Sequence, residues 1–176
     1  MENILIVSGH TYPENSIANK HIISLLKKQY PDTHIDDLYT LYPDYRINVA
    51  SEQEKLKNAD IIIIQSPIFW YYMTSLVSRW IEEVFTYGWA YGSSGNALSG
   101  KKIIFSVTAG ADNEFYNSQS SAEISIDEMM KPYIVSANYC SMDYVGTVFT
   151  GGMMNFTELS TSDKENYITM SNKLTR

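Results

Sequence analysis

Short apolar runs alternate with longer stretches of helical spacing along the chain. Asn3 to Val7 and Asp60 to Ile64 are continuous apolar runs too short for a buried helix, and their lack of polar alternation predicts strands covered on both faces. Lys101 to Val107 and the Tyr139 to Val148 region read the same way, and His34 to Leu38 is a candidate edge strand. Between these runs, Ala18, Ile22, Leu25 and Leu26 fall on one face of a helix. Met73, Leu76, Val77, Trp80, Ile81 and Val84 form a wider stripe. One side of it suits a sheet, and its aromatic end, FTYGWAYG, suits contact with a second copy of the chain. Ser51 with Glu54 and Ser125 with Glu128 have capping-box spacing and predict helix starts, and Ser162 with Glu165 predicts a last one.

Strands separated by helix-sized segments imply right-handed crossovers and a parallel sheet with helices on both faces. The expectation is an α/β fold in one domain over residues 1–176, a flavodoxin-like doubly wound sheet of five strands in the order 2-1-3-4-5. In such sheets ligands bind beyond the carboxyl ends of the strands, where the winding reverses.

Three of these strand ends carry suggestive chemistry. After Val7 the chain reads SGHTYPENSIANK, with Ser16 as the predicted N-cap of a helix whose first N–H groups and dipole favour an anion. The side chains of His10, Thr11, Asn15, Ser16 and Asn19 are donors of the kind a phosphate accepts. Neither the Walker pattern nor Gly-x-Gly-x-x-Gly is present. After Gln65 comes SPIFWYYM, whose consecutive aromatics cannot all face one core, so some suit a flat heteroaromatic ligand. After Val107 comes TAGADNEFY, where Gly110 and its small neighbours let backbone approach a ligand. A phosphorylated flat ring system fits all three ends.

Charge and composition narrow the partners. The net charge is −7 with no cluster of Lys and Arg, which argues against nucleic acid. No apolar stretch approaches the roughly 20 residues that span a bilayer, and Glu2 stands where a signal peptide would be positive, so a cytoplasmic location is expected. The lone Cys140 reads as a small buried hydrophobe. Clustered His, Cys and carboxylates are lacking, so no metal is expected.

The segments HTYPENSIANK, LYTLYPDYRINVASEQEKLKNADIIIIQSPIFWYYM, RWIEEVFTYGWAYG and LSGKKIIFSVTAGA together resemble the flavodoxin-like NAD(P)H:quinone oxidoreductases. The likeness is closest to the short bacterial branch of potassium-efflux ancillary oxidoreductases and general stress proteins. It covers roughly residues 1 to 146, and the stretch from Gly151 onward resembles the family weakly. The resemblance implies a flavin and NAD(P)H as co-substrate; the short chain leaves little material to hold an adenosine half, which favours FMN and keeps FAD as the alternative. It also implies a homodimer that reduces a quinone or other small electrophile by ping-pong two-electron transfer.

Matched position by position, His10, Ser16, Ile17, Ala18 and Asn19 correspond to the phosphate loop. Pro67, Ile68, Phe69 and Trp70 correspond to the segment along the ring, and Thr108, Ala109 and Gly110 to the second ring loop. Tyr116 corresponds to a catalytic tyrosine beside the reactive edge, and Tyr91 to a substrate-pocket aromatic. The second loop reads Thr-Ala-Gly-Ala where Thr-Thr-Gly-Gly is commoner, and Ala122 stands where larger members carry a relay histidine. Backbone N–H groups after Thr108 are the expected donors to the charge that develops on the reduced ring. Two other roles share this fold. One is a flavodoxin-type one-electron carrier. The other is a regulatory subunit on a membrane potassium-efflux transporter, peripheral at the inner face of the cell membrane.

Overall fold

The computed structural model describes residues 2–116, 122–155 and 157–174. Its elements are β1 (Ile4–Ser8), α1 (Ile17–Gln29), β2 (His34–Asp37), α2 (Leu38–Leu41), α3 (Val49–Asn58), β3 (Ile61–Phe69), β4 (Tyr72–Met73), α4 (Ser75–Val84), β5 (Lys102–Thr108), α5 (Ile126–Tyr139), β6 (Asp143–Thr150) and α6 (Thr161–Leu174). The strands pair in the order β2-β1-β3-β5-β6, all in parallel, which is the expected doubly wound order.

The apolar runs are continuous because alternate residues enter different cores. Leu5, Val7, Ile62, Ile64, Ile103, Phe105 and Val107 pack with Leu56 of α3, with Leu76, Val77, Trp80 and Val84 of α4, and with Met129 and Met130 of α5. Ile6, Ile61, Ile63, Ile104 and Val148 face the other way, onto Ile22 and Leu26 of α1 and Tyr167 of α6. Tyr167 pins α6 to the sheet edge: its hydroxyl lies 3.2 Å from Ser106 Oγ and 2.9 Å from Thr150 Oγ1. Burial raises its phenol pKa to about 12, although the two hydroxyl contacts oppose this.

A second polar cluster is buried between β2, α3 and α4. Glu52, with no exposed surface, accepts from Tyr42 Oη at 2.6 Å, Lys55 Nζ at 2.5 Å and Trp80 Nε1 at 2.8 Å. Lys55 also donates to Asp36 at 2.8 Å, and His34 Nε2 donates to the other Asp36 oxygen at 2.9 Å. Burial pushes the Asp36 carboxyl up against the pull of Lys55. Burial likewise opposes the charge on Lys55, yet its bonds to Asp36 and Glu52 hold its pKa above the ordinary value.

The structure departs from the sequence reading at several boundaries. Helix α3 begins earlier than Ser51, because Asn48 is its cap and accepts from the Ser51 N–H at 3.1 Å. The box at Ser125 and Glu128 forms as expected, with both reciprocal bonds. In the last helix it shifts two residues: Ser160 and Asp163, rather than Ser162 and Glu165, exchange the capping bonds. Tyr139 closes α5 instead of opening β6. Strand β4 was not expected. It folds back on β3 through Trp70 and Tyr71, at φ of 52° and 70°, a conformation that Asn-Gly adopts readily and aromatics resist at about 1–3 kcal/mol each.

Candidate functional site

The carboxyl ends of β1, β3 and β5 open onto one cleft of about 280 Å³. Its floor on the β1 side is the start of α1, lined by His10, Asn15, Ser16, Ile17, Ala18 and Asn19. Ser16 is the N-cap residue by position, but its side chain makes no capping bond, and its own N–H donates to Pro13 O at 3.2 Å. The buried Ser16 hydroxyl and the first N–H groups of α1, which by geometry lack partners within the helix, are left for an occupant of the cleft.

Asn19 and His10 have bonds that fix which of their atoms face this floor. Gln65 Nε2 donates to Asn19 Oδ1, so the Asn19 NH₂ is the part of that amide that remains. Gln65 Oε1 is buried with no hydrogen-bond partner among the described residues. His10 Nδ1 accepts from the Tyr12 N–H at 3.0 Å, which puts the proton of the neutral ring on Nε2. Burial lowers the His10 pKa, against the pull of Glu14, so the neutral ring dominates at pH 7. Among the described residues, no acidic side chain lines the cleft. The donor set suits an anion bearing several acceptor oxygens, such as a phosphate.

Two walls rise from this floor. Pro67, Ile68 and Phe69 form one, with the Phe69 ring 5.9 Å from that of His10 in an edge contact. Thr108, Ala109 and Gly110 form the other. Here the backbone donors are fewer than expected. The Ala109 N–H is spent on Thr150 O at 3.1 Å, which leaves those of Gly110 and Ala111, neither bonded among the described residues.

The remaining expected positions lie outside the lining of this cleft. Trp70, 87% exposed, borders a neighbouring groove of about 450 Å³ that shares Phe69. Tyr116 sits half-buried, with its ring 5.5 Å from Phe149 and 5.1 Å from Phe115. Burial raises its phenol pKa, and Tyr71 adds to the shift, so it is protonated at neutral pH. The Tyr91 ring makes an edge contact with Tyr87 at 5.8 Å and a tilted contact with Tyr139 at 5.2 Å, beyond the end of α4. The buried Cys140 thiol is likewise pushed up by desolvation and is no nucleophile at neutral pH.

The family of flavodoxin-like fold, Flavodoxin_2, matches residues 2–173. The chain belongs to that family. General stress protein 14 of Bacillus subtilis (strain 168) is 38% identical over 142 residues, 81% of this chain and 81% of its own. The crystal structure of general stress protein 14 from Treponema denticola in complex with FMN has a TM-score of 0.82 at 30% identity, covering 98% of this chain and 96% of that one. An NADPH-quinone reductase from P. pentosaceus shares the fold at 21% identity and a TM-score of 0.83, over 97% of this chain and 96% of its own.

Met153 and Met154 also line the cleft. They lie after Gly151, where the sequence reading implies only a weak family likeness although the family match extends to residue 173, and neither a polar pattern nor an apolar period marks them.

Proposed function

We propose that this protein is an FMN-dependent NAD(P)H oxidoreductase that delivers two electrons at a time to quinones or similar flat electrophiles. The observation that carries this reading is the α1 terminus: an unspent Ser16 hydroxyl and free N–H groups open into a cleft with an apolar wall and a backbone wall. It is supported by the chain-long likeness to a protein crystallised with FMN. The donor set suits a monophosphate, and Phe69 and the Gly110 loop, which line the same cleft, would flank the flat ring.

The flavin, when bound, supplies the hydride chemistry. The chain supplies position and charge. Ser16, Asn19, His10 Nε2–H and the α1 dipole hold the phosphate. Pro67 to Phe69 exclude water from one side of the ring. The N–H groups of Gly110 and Ala111 are held by neighbouring backbone bonds, so they would stabilise negative charge on a bound ring without reorganising. The Tyr116 phenol, kept protonated, is a donor at the rim. The open side of the cleft would admit nicotinamide and acceptor in turn, in a ping-pong order. The exposed aromatics Trp70 and Tyr72 suit coverage by a second copy of the chain, an arrangement that sedimentation equilibrium would detect.

Anaerobic stopped-flow mixing tests the reading. The flavin-loaded protein is expected to bleach rapidly with NADPH or NADH and to regain its colour when a quinone is added in a second mix. A flavin that remains oxidised with both nucleotides, yet accepts electrons from dithionite, overturns the oxidoreductase and leaves a one-electron carrier.

A further inference from the structure

One wall of the cleft has no role in the function above: Gly151 to Met154, between β6 and α6. Its backbone is zipped to the loop after β5. The Gly152 N–H donates to Ala111 O at 2.9 Å, that of Met153 to Ala109 O at 3.0 Å, and that of Met154 to Gly110 O at 3.4 Å. The route depends on glycine. A Cβ on Gly151 would lie 2.7 Å from Ala111 O and 2.9 Å from Asp112 Cα, and Gly152 sits at φ +75°.

The strap sets its methionines against the ring loop. A Cβ on Gly110 would come within 2.9 Å of Met154 Cγ, so the Met154 side chain lies directly over that residue. Yet Met154 is 84% exposed while lining the same cleft as Ser16 and Phe69. Its position is fixed by backbone bonds, and its apolar surface is left free at the edge of a ligand-sized cavity. A thioether is polarizable and flexible, and it packs well on the edge or face of an aromatic ring.

Resting on the flavin reading above, we propose that the Gly151–Met154 strap is a further wall of the flavin cleft, and that Met153 and Met154 grip the ring portion of the flavin by thioether packing. The grip is independent of the phosphate. Gly110 is small so that Met154 can lie over it, and the paired glycines exist to route the strap.

The test separates ring from phosphate. The flavin-free full chain is titrated with FMN and with riboflavin, which lacks the phosphate, and binding is read by quenching of flavin fluorescence. Met154→Ala is expected to weaken both ligands by the same factor, about three- to tenfold. Met154→Leu is expected to recover most of that loss, and Ser16→Ala to weaken FMN alone. In protein labelled with ¹³C-methyl methionine, the Met154 methyl resonance is expected to shift through the ring current when FMN is added. Unchanged affinity in Met154→Ala, a loss confined to FMN, or a methyl resonance that does not move overturns the strap. Wild-type protein that binds neither flavin overturns the flavin reading itself, and the strap falls with it.

Discussion

Two of the polar clusters buried in this protein, one around Glu52 and one around Ser16 and Gln65, differ in how fully their hydrogen bonds are met. Around Glu52 both carboxylate oxygens have partners, and Tyr42, Trp80, Lys55 and Asp36 close the network. Around Ser16 and Gln65 the bonds are incomplete: the cap residue does not cap, and Gln65 Oε1 has no partner among the described residues. The first cluster lies within the packed layer of β2, α3 and α4. The second lies at the carboxyl ends of the strands. A satisfied buried network holds the fold together, whereas an unsatisfied one in a cleft gives up stability for a ligand to recover.

The sharpest way to break this comparison is Glu52→Ala. It leaves the Tyr42 hydroxyl and the Trp80 N–H unpartnered and Lys55 half-paired, so denaturant unfolding should show a loss of about 3–5 kcal/mol. FMN affinity of the folded fraction should not change. A loss below 1 kcal/mol would mean that the network is ornament.

Tyr167 sharpens the satisfied side through pH. Its folded pKa of about 12 exceeds the ordinary 10.0, so the folded state holds this proton more tightly. That contribution is complete below pH 10.0 and is lost as pH rises towards 12, on the order of 3 kcal/mol in all. Alkaline unfolding curves of Tyr167→Phe should lack this part of the slope.

Ser16→Ala addresses the unsatisfied side. An ordinary N-cap loses about 1 kcal/mol of stability on such a change, but this one makes no capping bond, so thermal unfolding of the flavin-free protein should be unchanged. The FMN dissociation constant should rise about tenfold, the value of one hydrogen bond to a charged group. A clear loss of stability without flavin would show that the hydroxyl is spent on the fold. Arg79→Ala should have the smallest effect. Its pair with Glu83, 2.6 Å apart on the surface of α4, is worth less than about 0.5 kcal/mol, and neither unfolding nor flavin binding should report its loss.

Much of the cleft was legible because its local signals are strong. The strand ends follow uninterrupted apolar runs, and the expected phosphate-loop and ring-loop positions other than Trp70 line a single cavity. Trp70 falls outside that lining because it and Tyr71 take left-handed conformations that turn the strand back, which nothing in FWYY announces. Ser51 and Ser162 failed as caps because neighbouring Asn48 and Ser160 offered equivalent oxygens, and packing chose between them.

The sequence by itself determined the layered sheet, its winding, the Ser125 cap and the loop chemistry at the carboxyl ends. These follow from periodicity and residue type over a few neighbours. Only the tertiary structure decided that the Ala109 N–H is consumed by β6, that Gln65 of β3 reaches Asn19 of α1, and that Met153 and Met154 line the cleft. Each of these joins residues distant along the chain, and their meeting is set by how strands pair and helices pack, which no local pattern records.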